Sequence, residues 1–411
     1  MRVLISAYAC EPHKGSEPGV GWNWVKQIAK FAEAWVITRI NNREVIEEEL
    51  RKNPILNLHF VYVDLPKWLR FWKKKQRGVH LYYYLWQFAV YLKARVLAKE
   101  LKFDIVHHIT FVNDWMPSFL AMLSVPFVWG PIGSHQPIPK FFLPDFRSKL
   151  LEFIRISVQN TFRCFDFFFG YTLSKAKIII TINSKLQQKY PFRFINGGKF
   201  VHQPAIGINI DKQPKYMNNK ARMLRIISAG RLIYFKGFHL ALHAFTDGFK
   251  TANGTHFTII GDGMEKRKLE NLAVKLCVKD KVTFVGNISR IDVLARMQES
   301  DIFLFPSFEG GGMVVLEAMA SRLPVVCLDF GGPGEMITDE CGIKVKPITP
   351  EQTITELADA LLKLANDSEL RKRMGEVGSR RTKEVYSWDK KGEFIRKVYV
   401  SVLKNESSYS S

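Results

Sequence analysis

Two glutamates stand eight residues apart in an apolar segment, FPSFEGGGMVVLEAMASRLPVV, residues 305–326. Glu309 follows a strand-like run that ends at Pro306, and it precedes Gly310, Gly311 and Gly312. Glycines leave backbone N–H groups bare and let a ligand come close to the chain. A carboxylate beside them can accept hydrogen bonds from sugar hydroxyls. Glu317 lies one turn beyond Met313 in the helical stretch that follows, so its side chain faces back toward the start of that helix. A carboxylate there suits a pair of ribose hydroxyls. Each acid also has a plainer reading. Glu309 can be a turn or capping residue. Glu317 can be a partly buried acid in a salt bridge, because an acid in an apolar helix needs a partner.

Other strand ends carry complementary chemistry. In AGRLIYFKGF, residues 229–238, Arg231 and Lys236 follow a strand and are flanked by Gly230 and Gly237. A guanidinium fork with a lysine point charge is what a diphosphate needs, although two solvated surface cations would look the same. In HKGSEPGVGWNW, residues 13–24, Gly15, Gly19 and Gly21 lie between a strand and a helix. Amides at such a turn can approach an anion, or the stretch can be an ordinary strand-to-helix turn. Its spacing matches neither a dinucleotide fingerprint nor a Walker loop. His107 and His108 end the strand-like run FDIVHHIT. Strand alternation puts them on opposite faces, and either could position a hydroxyl or stabilise developing charge; a structural histidine is the plainer reading. No DxD spacing, GxSxG, HExxH or kinase set occurs.

Positioning these groups requires a particular kind of scaffold. Short apolar, often β-branched runs occur at 3–9, 34–40, 58–65, 103–110, 126–132 and 176–183, with helical periodicity between several of them, as in Val20–Ala32 and Leu85–Leu101. Such alternation signals parallel βα units. A polar stretch with little apolar pattern, 207–223, reads as a linker. Strand-like runs then resume at 224–233, 256–263, 282–288, 302–307, 324–330 and 342–347, and a mostly helical tail from Thr353 to Leu403 breaks near Tyr386-Ser387-Trp388. The predicted plan is α/β: a first domain over 1–206, the linker, a second domain over 224–385, and a last helical segment over 386–411. Ligands of open α/β sheets sit outside the carboxyl ends of the strands, where the candidate residues fall.

The totals narrow the partners. A chain of 411 residues is long for a single core and suggests two domains. Its 60 Lys and Arg against 39 Asp and Glu give a net charge of +21, which favours an anionic partner. Basic and aromatic residues interleave in LPKWLRFWKKKQRGVHLYYYLWQF, residues 65–88. Lys67, Arg70, Lys73, Lys74, Lys75 and Arg77 there, with Trp68, Phe71 and Trp72, fit a segment lying on an anionic membrane surface. Single-stranded nucleic-acid binding is the rival reading, and a solvated face the plainer one. A second aromatic patch with cations spans Phe141–Phe169. The N-terminus reads as a first strand rather than a signal peptide, and no apolar run is long enough to span a bilayer. Cys10, Cys164, Cys277, Cys327 and Cys341 are dispersed, as expected of reduced core thiols in a cytosolic protein.

The Glu309–Glu317 segment resembles the E-x7-E motif of the family 4 retaining glycosyltransferases. GSEPGVGW is similar to that family's first glycine loop and AGRLIYFKG to its diphosphate motif. IIGDGMEKRKL, VTFVGNI and PVVCLDFGGPGEMI follow in the family's order. The resemblance implies the GT-B fold: two Rossmann-like domains with parallel sheets facing across a cleft, and a C-terminal helix crossing back to the first domain. It implies that a nucleotide-diphosphate sugar binds mainly on the second domain and a glycan or lipid-linked acceptor mainly on the first. By that carry-over Arg231 and Lys236 hold the diphosphate. Glu309 contacts the donor sugar near the amides of Gly311, Gly312, Met313 and Val314. Glu317 holds the ribose, and Gly15 and Gly19 approach the phosphate or acceptor. His107 or His108 is the candidate to meet the acceptor, since the family's H-x-H pattern is replaced here by His107-His108-Ile109. The implied transfer retains configuration and needs no metal and no cofactor; the basic and aromatic first domain, read with it, puts the reaction at the cytoplasmic membrane face, without nucleic acid. A GT-B-fold nucleotide-sugar epimerase is the alternative within enzymes, and a basic nucleic-acid-binding protein the alternative outside them.

Overall fold

The computed structural model describes residues 1–73, 78–183, 188, 190, 200–209 and 223–407. The strands of the first half are β1 (Arg2–Ala7), β2 (Glu33–Arg39), β3 (Leu58–Val63), β4 (Ile105–Thr110), β5 (Phe127–Ile132), β6 (Ala176–Thr181) and β7 (Phe200–His202). They form one sheet in the order β3-β2-β1-β4-β5-β6-β7, with every pairing parallel. Helices α1 (Ser16–Ala29), α2 (Arg43–Lys52), α3 (Val79–Leu101), α4 (Phe146–Phe165) and α5 (Phe167–Lys175) lie between strands. Burial on both faces explains the near-continuous apolar strands, because alternate residues of one strand enter opposite cores. Leu4, Ile37 and Val106 pack with Trp86 of α3, while Val3, Ile5, Val36 and Ile105 pack with Trp24 and Ile28 of α1.

The second half repeats the plan. Strands β8 (Leu224–Ala229), β9 (Thr255–Ile260), β10 (Val282–Gly286), β11 (Ile302–Phe305), β12 (Val325–Leu328) and β13 (Gly342–Val345) form a parallel sheet in the order β10-β9-β8-β11-β12-β13. Helices α6 (Phe238–Phe249), α7 (Lys266–Lys275), α8 (Arg290–Gln298), α9 (Met313–Ala320), α10 (Gly331–Met336), α11 (Pro350–Asn366) and α12 (Ser368–Val385) accompany them. Both sheets reverse direction between their first and fourth strands, the arrangement of Rossmann-like domains. All twelve strand-like runs of the sequence correspond to strands; β7, only three residues long, has no sequence signature.

Two compact units result. The first contains Met1–Ser134, Ile154–Gly207 and Trp388–Ser411; the second contains His135–Phe153 and Ile208–Ser387. Helix α13 (Trp388–Ser407) packs against α1 within the first unit. Trp388 meets Trp24 edge to face at 6.3 Å, and Ile395 and Tyr399 are fully buried there. The helical tail breaks at Tyr386–Ser387, where the chain passes from one unit to the other. Most of the expected linker, 210–222, lies outside the described residues, as do Lys74, Lys75 and Arg77. Cysteine burial departs from expectation. Cys10, Cys327 and Cys341 are buried, whereas Cys164 and Cys277 are exposed because each falls on the solvent side of its helix or turn. No described helix is long and apolar enough to cross a membrane.

Candidate functional site

In the second unit, β11 and the turn after β8 are laced together at their carboxyl ends. Phe308 donates its backbone N–H to Phe235 O at 2.9 Å. Gly237 adopts φ +70°, and a Cβ on it would sit 1.9 Å from Pro306 O. Only glycine permits that backbone in so close an approach. The lacing brings Lys236 beside Glu309, and the two form an ion pair whose side chains are only 13% and 15% exposed. Lys236 Nζ also stands 5.1 Å from the centre of the Phe305 ring. Arg231, five residues earlier, is exposed and makes no side-chain hydrogen bond or ion pair among the described residues.

The glycine loop is held from three sides. Gly332 donates to Glu309 O at 3.1 Å. A Cβ on Gly331 would meet Glu309 O at 2.0 Å, and one on Gly332 would meet Gly311 O at 1.9 Å, so the GGPG turn seats itself against this loop. His135 Nδ1 accepts from Gly310 N at 3.2 Å. Gly312, at φ +134°, is the residue before α9. The amides of Met313 and Val314 open that helix, where no intrahelical carbonyl is available to them. Glu317 is buried within α9, and Arg290 Nε at the start of α8 donates to its Oε1 at 2.6 Å. Burial raises the Glu317 carboxyl above its ordinary range, and Arg290 opposes that shift. In the structure Glu317 is thus a salt-bridged buried acid one turn from the glycine loop.

In the first unit, Gly15 precedes α1 in an extended conformation with open space around it. Gly19 and Gly21 are packed: a Cβ on either would lie 2.0 Å from the carbonyl of Lys14 or Ala9. Helix α1 takes in Gly19 and Gly21 rather than leaving them in a loop, and its first turn carries Glu17, whose carboxylate accepts from Val112 N beyond β4 and is pushed up to about 7, mainly by burial. His107 and His108 point to opposite faces of β4, as alternation requires. His107 is fully buried, with Nδ1 at 2.7 Å from Tyr399 OH and Nε2 at 2.6 Å from Gly130 O. His108 is buried with Nε2 at 3.1 Å from Tyr83 OH. Desolvation holds them near 3 and 4, so both are neutral around pH 7. Neither presents a free imidazole to solvent. Among the described residues no group of three His, Cys, Asp or Glu could hold a metal ion.

The structure therefore gathers Lys236, Glu309, Gly311, Gly312 and Met313 in one place, with Arg231 and Glu317 on adjacent elements of the same unit. Gly15, Gly19, His107 and His108 belong to the other unit. Sequence reasoning missed His135 and Arg290, since both reach the site from segments with no motif of their own. It also missed Glu17, although its position inside the first glycine loop offered a signal.

Residues 209–381, which include all of these second-unit groups except His135, match the family profile for Glycosyl transferases group 1. Residues 209–381 belong to the group 1 glycosyl transferases. The chain is 30% identical over 183 residues to the glycogen synthase of Mycobacterium tuberculosis, a match covering 44% of this chain and 43% of that protein. The chain spans less than two thirds of the length of the curated relatives it matches first. Fold similarity extends further. Sucrose-phosphate synthase from Thermosynechococcus elongatus superposes with a TM-score of 0.70 at 16% identity, covering 98% of this chain and 99% of that one. Anabaena Alr3699/HepE, solved with UDP, gives 0.66 at 16% identity over 98% and 100%. The chain has the GT-B fold.

Proposed function

We propose that the chain is a retaining glycosyltransferase that moves a sugar from a nucleotide-diphosphate sugar to a glycan or lipid-linked acceptor without a metal ion. The observation that carries this reading is the Lys236–Glu309 pair at the mouth of the Gly310–Gly312 loop. Each partner satisfies the other at rest. A diphosphate arriving between Lys236 and Arg231 offers the lysine a doubly charged alternative and releases Glu309 to accept from sugar hydroxyls. The leaving diphosphate then gains charge beside two fixed cations and the first amides of α9, groups that need little reorganisation as the bond breaks. Glu317, held by Arg290, offers its second oxygen to ribose hydroxyls. Retention follows if the acceptor hydroxyl attacks on the face the diphosphate leaves, passing its proton to the departing phosphate oxygen.

Incubation with a panel of nucleotide sugars, with and without EDTA, tests the reading. Binding and slow hydrolysis of at least one donor, unchanged by EDTA, are expected; no donor bound, or strict dependence on a divalent ion, contradicts it. We further propose that the enzyme works on the cytoplasmic face of a membrane. Trp68 and Phe71 are 70% and 77% exposed, and α3 presents Leu81, Phe88, Leu92 and Val96 to solvent. Apolar side chains on a strongly basic chain suit an anionic bilayer. Sedimentation with phosphatidylglycerol vesicles should fall when Phe71 and Phe88 are changed to serine; unaltered sedimentation refutes the membrane assignment.

A further inference from the structure

The carboxyl ends of β1, β2 and β3, adjacent strands of the first unit, carry a cationic cluster that the motifs above do not use. Tyr8 follows β1, Arg39 ends β2 and Asp64 follows β3. The Arg39 guanidinium lies 4.2 Å from the centre of the Tyr8 ring and donates Nε to Tyr8 O at 3.0 Å. Tyr82 packs edge-on against Tyr8 at 6.1 Å, and Lys73 Nζ stands 4.2 Å from the centre of the Tyr82 ring. Arg70 pairs with Asp64. Three cations thus surround two tyrosines, and all are at least partly withdrawn from water.

The acids nearby do not satisfy them. Asp64 is occupied: its oxygens accept from Arg70, from Tyr82 OH and from Leu65 N at 2.8 Å. Glu17 accepts from Val112 N, and its burial favours the neutral form. Lys73 and the outer nitrogens of Arg39 have no carboxylate partner among the described residues. Burial together with Arg39 and Arg70 makes protonation of Lys73 harder than usual, Asp64 offsets this only in part, and a bound anion would favour the charged lysine. Strand carboxyl ends beside the first crossover are where such folds bind ligands.

We propose that Arg39 and Lys73 bind an anionic group, phosphate or carboxylate, carried by the acceptor substrate. The word acceptor rests on the transferase reading; the anion site itself does not. Bound anion oxygens would take the outer Arg39 nitrogens and the Lys73 ammonium, which the buried rings of Tyr8 and Tyr82 hold in place from beneath. The proposal restricts the acceptor to charged glycans or phosphate-linked carriers.

NMR titrations of the full chain with glucose, glucuronate and glucose 1-phosphate at low salt test this. They are made in an Arg231→Gln, Lys236→Ala background so that phosphate binding on the second unit is not read. At least one charged sugar should bind about tenfold more tightly than glucose, the scale of one hydrogen bond between charged groups. Arg39→Gln and Lys73→Gln should each remove that preference, and Arg39→Lys should keep part of it. Preference for glucose 1-phosphate alone identifies phosphate, for glucuronate alone carboxylate, and for both an anion site that accepts either group. Equal binding of all three sugars, or a charge preference that survives both Gln variants, overturns the proposal. If Arg39→Gln fails to fold, Lys73→Gln, at a more open position, decides. Donor binding by the unmodified chain is measured in parallel: its absence beside an intact charge preference sinks the transferase reading alone.

Discussion

Replacing Gly332 by alanine probes the glycine loop without touching any residue assigned to ligand. A Cβ at this position would lie 1.9 Å from Gly311 O and 2.6 Å from Gly310 O. Real Cβ atoms essentially never come closer than 3.0 Å, so the Gly311 carbonyl must retreat by about 3.0 − 1.9 = 1.1 Å or the GGPG turn must move by as much. Both contacts are backbone, so no side-chain rotation can absorb the shift. The amides of Gly311 and Gly312 move with that carbonyl, and the bond from Gly332 N to Glu309 O is strained. A misplacement of about 1 Å in a positioning element can cost about 100-fold in rate, equivalent to about 2.7 kcal/mol. Overpacking costs roughly 1–3 kcal/mol of stability, or roughly 2–12 °C in Tm for a domain of this size. The assay is kcat/KM for the donor found by the panel, with thermal unfolding alongside. A folded Gly332→Ala protein with about 1% of wild-type kcat/KM is expected. Near-normal turnover would show that the loop's position is irrelevant to catalysis and refute its assignment to the donor sugar.

Other perturbations bear on the same account. Lys236→Ala and Glu309→Ala should each abolish transfer while the protein keeps its fold by circular dichroism; near-normal turnover in both removes the pair from the site. Arg290→Ala leaves Glu317 buried without its partner, at roughly 1–3 kcal/mol. Because burial raises the Glu317 pKa, the acid is tolerated when protonated and costly when charged, so the loss measured by urea unfolding should be larger at pH 8 than at pH 5; a pH-independent loss contradicts the pairing. His107, held near 3 in the fold against an ordinary 6.5, binds fewer protons folded than unfolded. The stability this contributes is complete above pH 6.5 and declines as pH falls toward 3, by roughly 1.4 kcal/mol per unit at most. His107→Gln should flatten that decline in Tm, and an unchanged slope would show that other groups govern it.

The strands were legible because parallel sheets covered on both faces require short β-branched apolar runs, as in IIIT of β6 and VVCL of β12. Lys236 and Glu309 were legible because each follows a strand end with glycines beside it. What joins them was not: the contact depends on Gly237 closing against Pro306, about seventy residues away. The roles of the histidines were equally hidden. His107 meets a tyrosine 292 residues later on α13, and nothing near FDIVHHIT announces that partner. The grouping of His135–Phe153 with the second unit has the same character. It rests on contacts such as Phe142 with Phe308, at 4.9 Å, that no local pattern encodes. Arg290 begins a helix capped by Ser289, and no local pattern there encodes its ion pair with Glu317.

The central claim is that Lys236 and Glu309 belong to a nucleotide-sugar site on the second unit. A thermal-shift panel of nucleotide sugars against the wild-type chain and Lys236→Ala, in EDTA, tests it most directly, because ligand binding to the folded state raises Tm with affinity and concentration. One or a few donors should stabilise the wild type, and Lys236→Ala should lose this stabilisation while its ligand-free Tm stays close to that of wild type. Equal stabilisation of both proteins by the same donor would contradict it.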